Sequence, residues 1–197
     1  IVLPEGLDLE SLIEECASIN RPAFGNDDFS VVTLVTPGRS SRPTAGPTLI
    51  THPVTFARQR LDKRYPRDKT LIAAHNRNCP AACWPPTIKT RSRLHYYLAD
   101  RNAADRDVDA ERMHVGAVLL DLQGNLTDTS AANVLIVERG RQIISPPMTS
   151  VLNGVGLART ARLAAKAGFE LTYEPIPIAR AAAAEEILQC GSTGLLW

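Results

Sequence analysis

With 197 residues, 44% of them hydrophobic and 22% charged, the chain has the makings of one good-sized globular domain or two small ones. A formal net charge of +1 supplies no field that would draw nucleic acid or an acidic membrane surface. No apolar run approaches the roughly 20 residues of a membrane span, and no basic start followed by an apolar stretch marks a secretory signal.

The opening, IVLPEGLDLE, lacks a methionine and predicts a segment upstream of it. Leu9, Leu12, Ile13, Cys16 and Ile19 recur at helical spacing, with Asp8 placed to cap the first-turn amides. FSVVTLVT, residues 29–36, reads as a strand, and the turn residues of PGRSSRPTAGP, 37–47, as a loop. TLITHPVTF and TLIAAHN are two further strands. Between them RQRLDKRYPRDK, 58–69, is the most basic stretch, but Asp62 and Asp68 interleave its cations as on a solvated loop or helix face. CPAACWPP, 79–86, is the candidate linker, because adjacent prolines fix φ and disfavour helix just before them. The boundary is placed at 84–88, between a small N-terminal domain, 1–83, and a larger domain, 89–197. The cysteines at 16, 79, 83 and 190 form no Cys-x-x-Cys pair, and no histidine stands near Cys79 or Cys83 at zinc-ligand spacing. Free thiols in a reducing cytoplasm, and no metal, are the expectation.

Beyond residue 90 the pattern changes. Leu94, Tyr97 and Leu98 share one face of a helix that ends near Asp105. Residues 115–147 carry apolar strands broken at Gln123-Gly124-Asn125 and Arg139-Gly140, the punctuation of an antiparallel meander. GVGLARTARLAAKAG, 154–168, is a helix opened by two glycines and closed by Gly168. FELTYEPI then reads as a strand, ARAAAAEE as a short helix and ILQCG as a last strand. Runs of strands with interspersed helices give an α+β architecture with a mixed, largely antiparallel sheet or pseudo-barrel in the larger domain.

Four places carry chemistry. Lys89 follows the Pro-Pro entry, Asp128 and Asn133 bracket a turn in LTDTSAAN, Gly154-Val155-Gly156 precedes a helix, and Gly191-Ser192-Thr193-Gly194 follows the last strand. A helix N-terminus led by glycine offers unpaired amides and a favourable dipole to an anion. A Gly-Ser-Thr-Gly turn offers hydroxyls and close backbone approach. Taken singly, each is ordinary: Asp128 as a turn residue, Asn133 as a strand entry, the glycines as a cap. His52, His75, His95 and His114 are scattered and are assigned to packing or surface.

The order and spacing of these segments resemble the class IV (fold type IV) family of pyridoxal-phosphate enzymes. That family includes branched-chain and D-amino-acid aminotransferases and aminodeoxychorismate lyase. IKTRSRLHYYLADRNA resembles the segment with the family's Schiff-base lysine, which implies Lys89; LDLQGNLTDTSAANVLIVERG resembles the stretch whose acid stands five residues before Asn, which implies Asp128 opposite the pyridine nitrogen and brings Asn133 into the site. VLNGVGLARTARLAAKAG resembles the family's Leu-x-Gly-Ile-x-Arg helix start, placing Gly154, Val155 and Gly156 at the phosphate. AEEILQCGSTG resembles the strand that brings Ser192 and Thr193 there. The departures are an Asp where the family has Glu, Leu94 where branched-chain enzymes tend to have Tyr, and Arg159 displaced from the motif position.

The resemblance implies a two-domain protein with its small domain truncated, pyridoxal 5'-phosphate as cofactor, a small amino acid and a 2-oxo acid as substrates, and a homodimer. Transamination of a branched-chain-like amino acid is the first expectation. Elimination of the aminodeoxychorismate-lyase type is the second, and a cofactor-free binding relative the third. Lys89 would have to be neutral when it acts as a base, a state that burial and nearby cations such as Arg91 and Arg93 favour.

Overall fold

The computed structural model describes residues 5–38, 46–55, 70–106 and 115–192. Most of the turn-rich loop, the basic stretch 58–69, His114 and Thr193 lie outside these residues. The chain divides into two compact units, Ile1–Asp62 and Lys63–Trp197.

In the first unit, helix α1 (Leu9–Phe24) packs on a two-stranded antiparallel ribbon of β1 (Phe29–Thr36) and β2 (Thr48–Thr55). The Asp8 cap forms as the sequence predicts: its carboxylate accepts from the Ser11 amide at 3.0 Å and the Ser11 hydroxyl at 2.7 Å. At the other end Arg21 donates to the carbonyls of Gly25 and Asp27 and lies over the Phe29 ring, which stacks on Phe24. That cluster fixes the turn from α1 into β1.

The second unit is built on a seven-stranded sheet, in the order β3-β4-β5-β6-β7-β8 with β9 on β6. Its strands are β3 (Thr70–Arg77), β4 (Val115–Leu120), β5 (Leu126–Thr129), β6 (Asn133–Glu138), β7 (Gln142–Ser145), β8 (Glu170–Tyr173) and β9 (Glu186–Cys190). β3 with β4 and β7 with β8 are parallel; the other pairs are antiparallel. The expected α+β class with a mixed, largely antiparallel sheet is what forms. Strand β3 lies ahead of the Pro-rich segment yet belongs to this sheet, because it pairs with β4 on the far side of that segment. Residues 79–88 are accordingly two tight turns inside the second unit, closed by Cys83 N–H to Pro80 and Ile88 N–H to Pro85.

The sheet is buried on both faces, which is why β4 and β6 read as near-continuous apolar runs. Val118, Leu120, Val134 and Ile136 point into one cluster with Ile144 and Ile176. Their neighbours Ala117 and Leu119 pack against helix α2 (Leu94–Arg106) through Ala99 and Ala103. Leu135 meets Leu157 and Ala164 of helix α3 (Val155–Lys166). A short helix, α4 (Ile178–Ala183), caps the first cluster with Ala181.

Helix α2 presents its small residues to the sheet, where alanines allow close approach. It is tied there by Asn102 Oδ1 accepting from the His75 amide at 3.1 Å and Arg106 donating to the Ala73 carbonyl at 2.7 Å. The larger stripe of Leu94, Tyr97 and Leu98 faces outward, 65%, 58% and 48% exposed.

Candidate functional site

The site follows from strand register. Asn133 at the start of β6 is paired with Asp128 of β5 on one edge and with Cys190 of β9 on the other. The ends of three strands therefore converge. Thr129 closes the β5–β6 turn, its hydroxyl accepting from the amides of Ala131 (3.3 Å) and Ala132 (3.0 Å). The start of α3 comes to the same place through Leu152, whose amide donates to Asp128 Oδ2 at 3.0 Å.

Around this junction lies a cavity of about 260 Å³, near the low end of the ~300–1,000 Å³ usual for small-molecule sites. Lys89, Asp128 and Asn133 line it, and so do Gly154, Val155, Gly156 and Ser192. All the sequence-predicted residues that the structure describes thus border one space; Thr193 lies outside the described residues. Lys89 is exposed at this cavity, not buried. Of the two neighbouring arginines, Arg93 lines the cavity and Arg91 is not among its lining residues.

Asp128 is 4% exposed, and among the described residues no cation is bonded to it. Asn133 Nδ2 donates to its Oδ1 at 2.8 Å and also to the Leu152 carbonyl at 2.8 Å. Acid, amide and the backbone of residue 152 thus form a closed network in which both carboxylate oxygens accept from neutral donors. Burial pushes the acid up to about 7, against the lowering effect of the Leu152 and Asn133 bonds. Such a group is one that a cationic partner would stabilise in its charged form. Burial likewise pushes the Tyr96 hydroxyl up to about 12, with Asp128 adding to the rise and Arg93 opposing it. Cys190, fully buried on the cavity wall, is pushed up to about 11 and stays a neutral thiol.

One end of the cavity is made largely of backbone. Helix α3 starts at Gly154 with no side-chain cap, so its first-turn amides have neither a capping oxygen nor an intrahelical partner. A Cβ on Gly156 would stand 2.8 Å from the carbonyl carbon and oxygen of Gly191. Glycine at 156 is therefore what lets the helix start abut the backbone of Gly191, next to Ser192. Gly156→Ala forces backbone apart on one side or the other. We expect it to lower stability by about 1–3 kcal/mol, read as a lower denaturant midpoint with an unchanged slope. In the helix-start motif, Leu157 occupies the place of the family's Arg and is buried in the core, while Arg159 is exposed.

Sequence reasoning missed Tyr96, Leu152 as a backbone donor, and Cys190. Tyr96 had a faint signal, since it stands seven residues after Lys89 on a helix beginning at Leu94. The Leu152 amide had none, because any residue carries it. Among the described residues no histidine lines the cavity: His95 packs on Trp84 and Tyr96, and burial and then Arg93 hold its pKa below the usual range. Among the described residues no group of three metal-ligating side chains is found.

Comparison with solved structures identifies the fold. A branched-chain aminotransferase from the thermophilic archaeon Thermoproteus uzoniensis, determined with norvaline, superposes with a TM-score of 0.76 at 19% identity, over 98% of this chain and 64% of that one. The branched-chain enzyme of Thermobaculum terrenum in its pyridoxal-phosphate form gives 0.73 at 17% identity, over 98% and 62%. A putative 4-amino-4-deoxychorismate lyase from Legionella pneumophila gives 0.74 at 16% identity, over 98% and 69%. The architecture is fold type IV, and the chain spans less than two thirds of the length of those aminotransferases. No curated protein matches the chain by sequence. The model of the family described as amino-transferase class IV matches residues 4–197, and the chain belongs to that family.

Proposed function

We propose that this protein binds pyridoxal 5'-phosphate and moves an amino group between a small, branched-chain-like amino acid and a 2-oxo acid. One observation carries the reading: a single cavity is bordered by a lysine, a buried acid without a cation, and a backbone cradle with free amides. Those parts fit the cofactor's aldehyde, ring nitrogen and phosphate. The cofactor supplies an aldehyde that bonds amines and a ring that accepts the electron pair left at a substrate's Cα.

In this reading Lys89 would hold the cofactor at its aldehyde, and its Nζ, when free, would take and return a substrate's Cα proton. Asp128 would be the partner of the ring nitrogen and would favour its protonated form, while Asn133 and the Leu152 amide hold the carboxylate in place. The amides of Val155 and Gly156 and the Ser192 hydroxyl would hold the phosphate, with Thr193 a further candidate. Elimination of the aminodeoxychorismate-lyase type is the second reading, favoured by Arg93-Leu94 after the lysine and by the likeness to the Legionella structure.

Titration with pyridoxal phosphate should give a protein with visible absorbance. Incubation with 2-oxoglutarate and a panel of amino acids should then yield glutamate. Pyruvate from an elimination substrate in place of glutamate supports the second reading, and a protein that stays colourless sinks both.

A homodimer belongs to the same proposal. The exposed stripe of Leu94, Tyr97 and Leu98 has the character of a surface that a second copy covers, and sedimentation at twice the chain mass would bear this out. We place the protein in the cytoplasm, where Cys16, Cys79, Cys83 and Cys190, all free, remain reduced. Among the described residues no helix is long and apolar enough to cross a membrane.

A further inference from the structure

Arg93 is a cation in this cavity without a task in the reading above. It sits four residues past Lys89 at the entry to α2, where its carbonyl accepts from the Tyr97 amide at 3.0 Å. Its guanidinium lies 4.7 Å from the centre of the Tyr96 ring and donates through Nη2 to the Ser130 carbonyl. Stacking on one side and a hydrogen bond at one corner fix the plane of the group. One of its five N–H donors is engaged there, and the rest of the fork is left to whatever enters.

No carboxylate of the described residues occupies that fork. Arg139 and Arg180 pair with Glu185, Glu138 and Glu174, and Asp128 is taken up by Asn133 and Leu152. Arg93 also lines a smaller hollow of about 40 Å³ that shares Lys89, Tyr96 and Leu152 with the main cavity, so it stands at their common wall. A guanidinium held in one plane beside a reactive amine suits a planar carboxylate, which it can grip with two parallel bonds.

We infer that Arg93 receives a carboxylate of the substrate, on the footing that the cavity takes an amino acid as proposed above. Lys89 and Ser130 also line the main cavity, so the space around the fork holds polar groups that suit a carboxylate.

The test is calorimetric titration of the cofactor-treated protein with pentanoate, glutarate and pentanamide. Either acid should bind the wild type at least about tenfold more tightly than the neutral amide. Arg93→Met should erase that preference and leave pentanamide unchanged, while Arg93→Lys, charged but without the fork, should fall between. Equal loss for both acids identifies the carboxylate common to all amino acids, and loss for glutarate alone identifies one on the side chain; either supports the inference. Acids that bind Arg93→Met as they bind the wild type overturn it, and so does a wild type that fails to prefer acids. If Arg93→Met does not unfold cooperatively, Arg93→Lys decides by the same criterion. Visible absorbance of the same samples keeps the two claims apart. A coloured wild type with unaltered acid binding in the variants ends this inference only, and a colourless wild type ends the functional reading.

Discussion

Lys89→Ala will leave the protein unable to develop visible absorbance with pyridoxal phosphate, and turnover will fall by about 10³-fold or more, within the range spanned by loss of a positioned acid-base group. The variant removes the amine that lines the cavity with Asp128, the α3 start and Ser192, and it removes little else. Lys89 is exposed and lies outside the strands and helices, so its truncation opens no core void, and surface changes of this kind shift stability by only about ±0.5 kcal/mol. The experiment therefore separates chemistry from folding. A normal melting curve, without the absorbance of covalently bound cofactor and with turnover lowered by about 10³-fold or more, is the expected result. The phosphate cradle remains, so the variant should still take up the cofactor without the covalent bond, at weaker affinity measurable by ultrafiltration. Full absorbance in Lys89→Ala would assign the bond to another amine and end the proposal.

The sequence showed the parts of this site better than their connections. Asp8 announced the cap of α1, and the β-branched run 29–36 announced β1, because both depend on near neighbours. The glycines at 154 and 156 were legible as a helix start, but only the structure gives the reason for the second, the backbone of Gly191 beside it. Pairing partners are not written locally. Strand Thr70–Arg77 looks like part of what precedes it, and its parallel pairing with β4 is a fact about residues some forty positions away. The face of α2 was hidden for a related reason. Leu94, Tyr97 and Leu98 carry the apolar signal, yet Ala99 and Ala103 meet the sheet, where small side chains leave room for the helix. Asn133 reads as a strand entry and proves to be the brace between Asp128 and residue 152.

Asp128→Asn will lower turnover by about 10²-fold or more and will flatten the dependence of stability on pH. The functional loss follows from removing the one buried carboxylate of the cavity, an electrostatic group fixed before the substrate arrives. The pH effect comes from burial. In the folded, cofactor-free protein Asp128 titrates at about 7, against 3.8 for an ordinary aspartate. Between those values the folded state holds a proton that the unfolded chain has released, so folding takes up a proton and stability falls as pH rises from about 4 to about 7. Above 7 this contribution is level. Asparagine does not titrate, and the slope due to this group should vanish from denaturant unfolding measured across that range.

The substitution has its own structural penalty. Both carboxylate oxygens accept, from Asn133 and from Leu152, and an amide can present its oxygen to only one of them. Its nitrogen then opposes a donor, which costs about 1–3 kcal/mol. Protonated aspartate escapes this penalty, since both oxygens still accept while the O–H turns elsewhere. Asp128→Glu separates charge from shape: the carboxylate survives, but the added methylene enters a site already packed and bonded, at about 1–3 kcal/mol. Pyridoxal phosphate provides the internal control. A protonated ring nitrogen facing Asp128 favours the carboxylate, so the loaded wild type should keep its stability up to pH 7 and beyond, where the cofactor-free protein has lost it. Identical pH profiles with and without cofactor would mean that the ring nitrogen does not meet this acid.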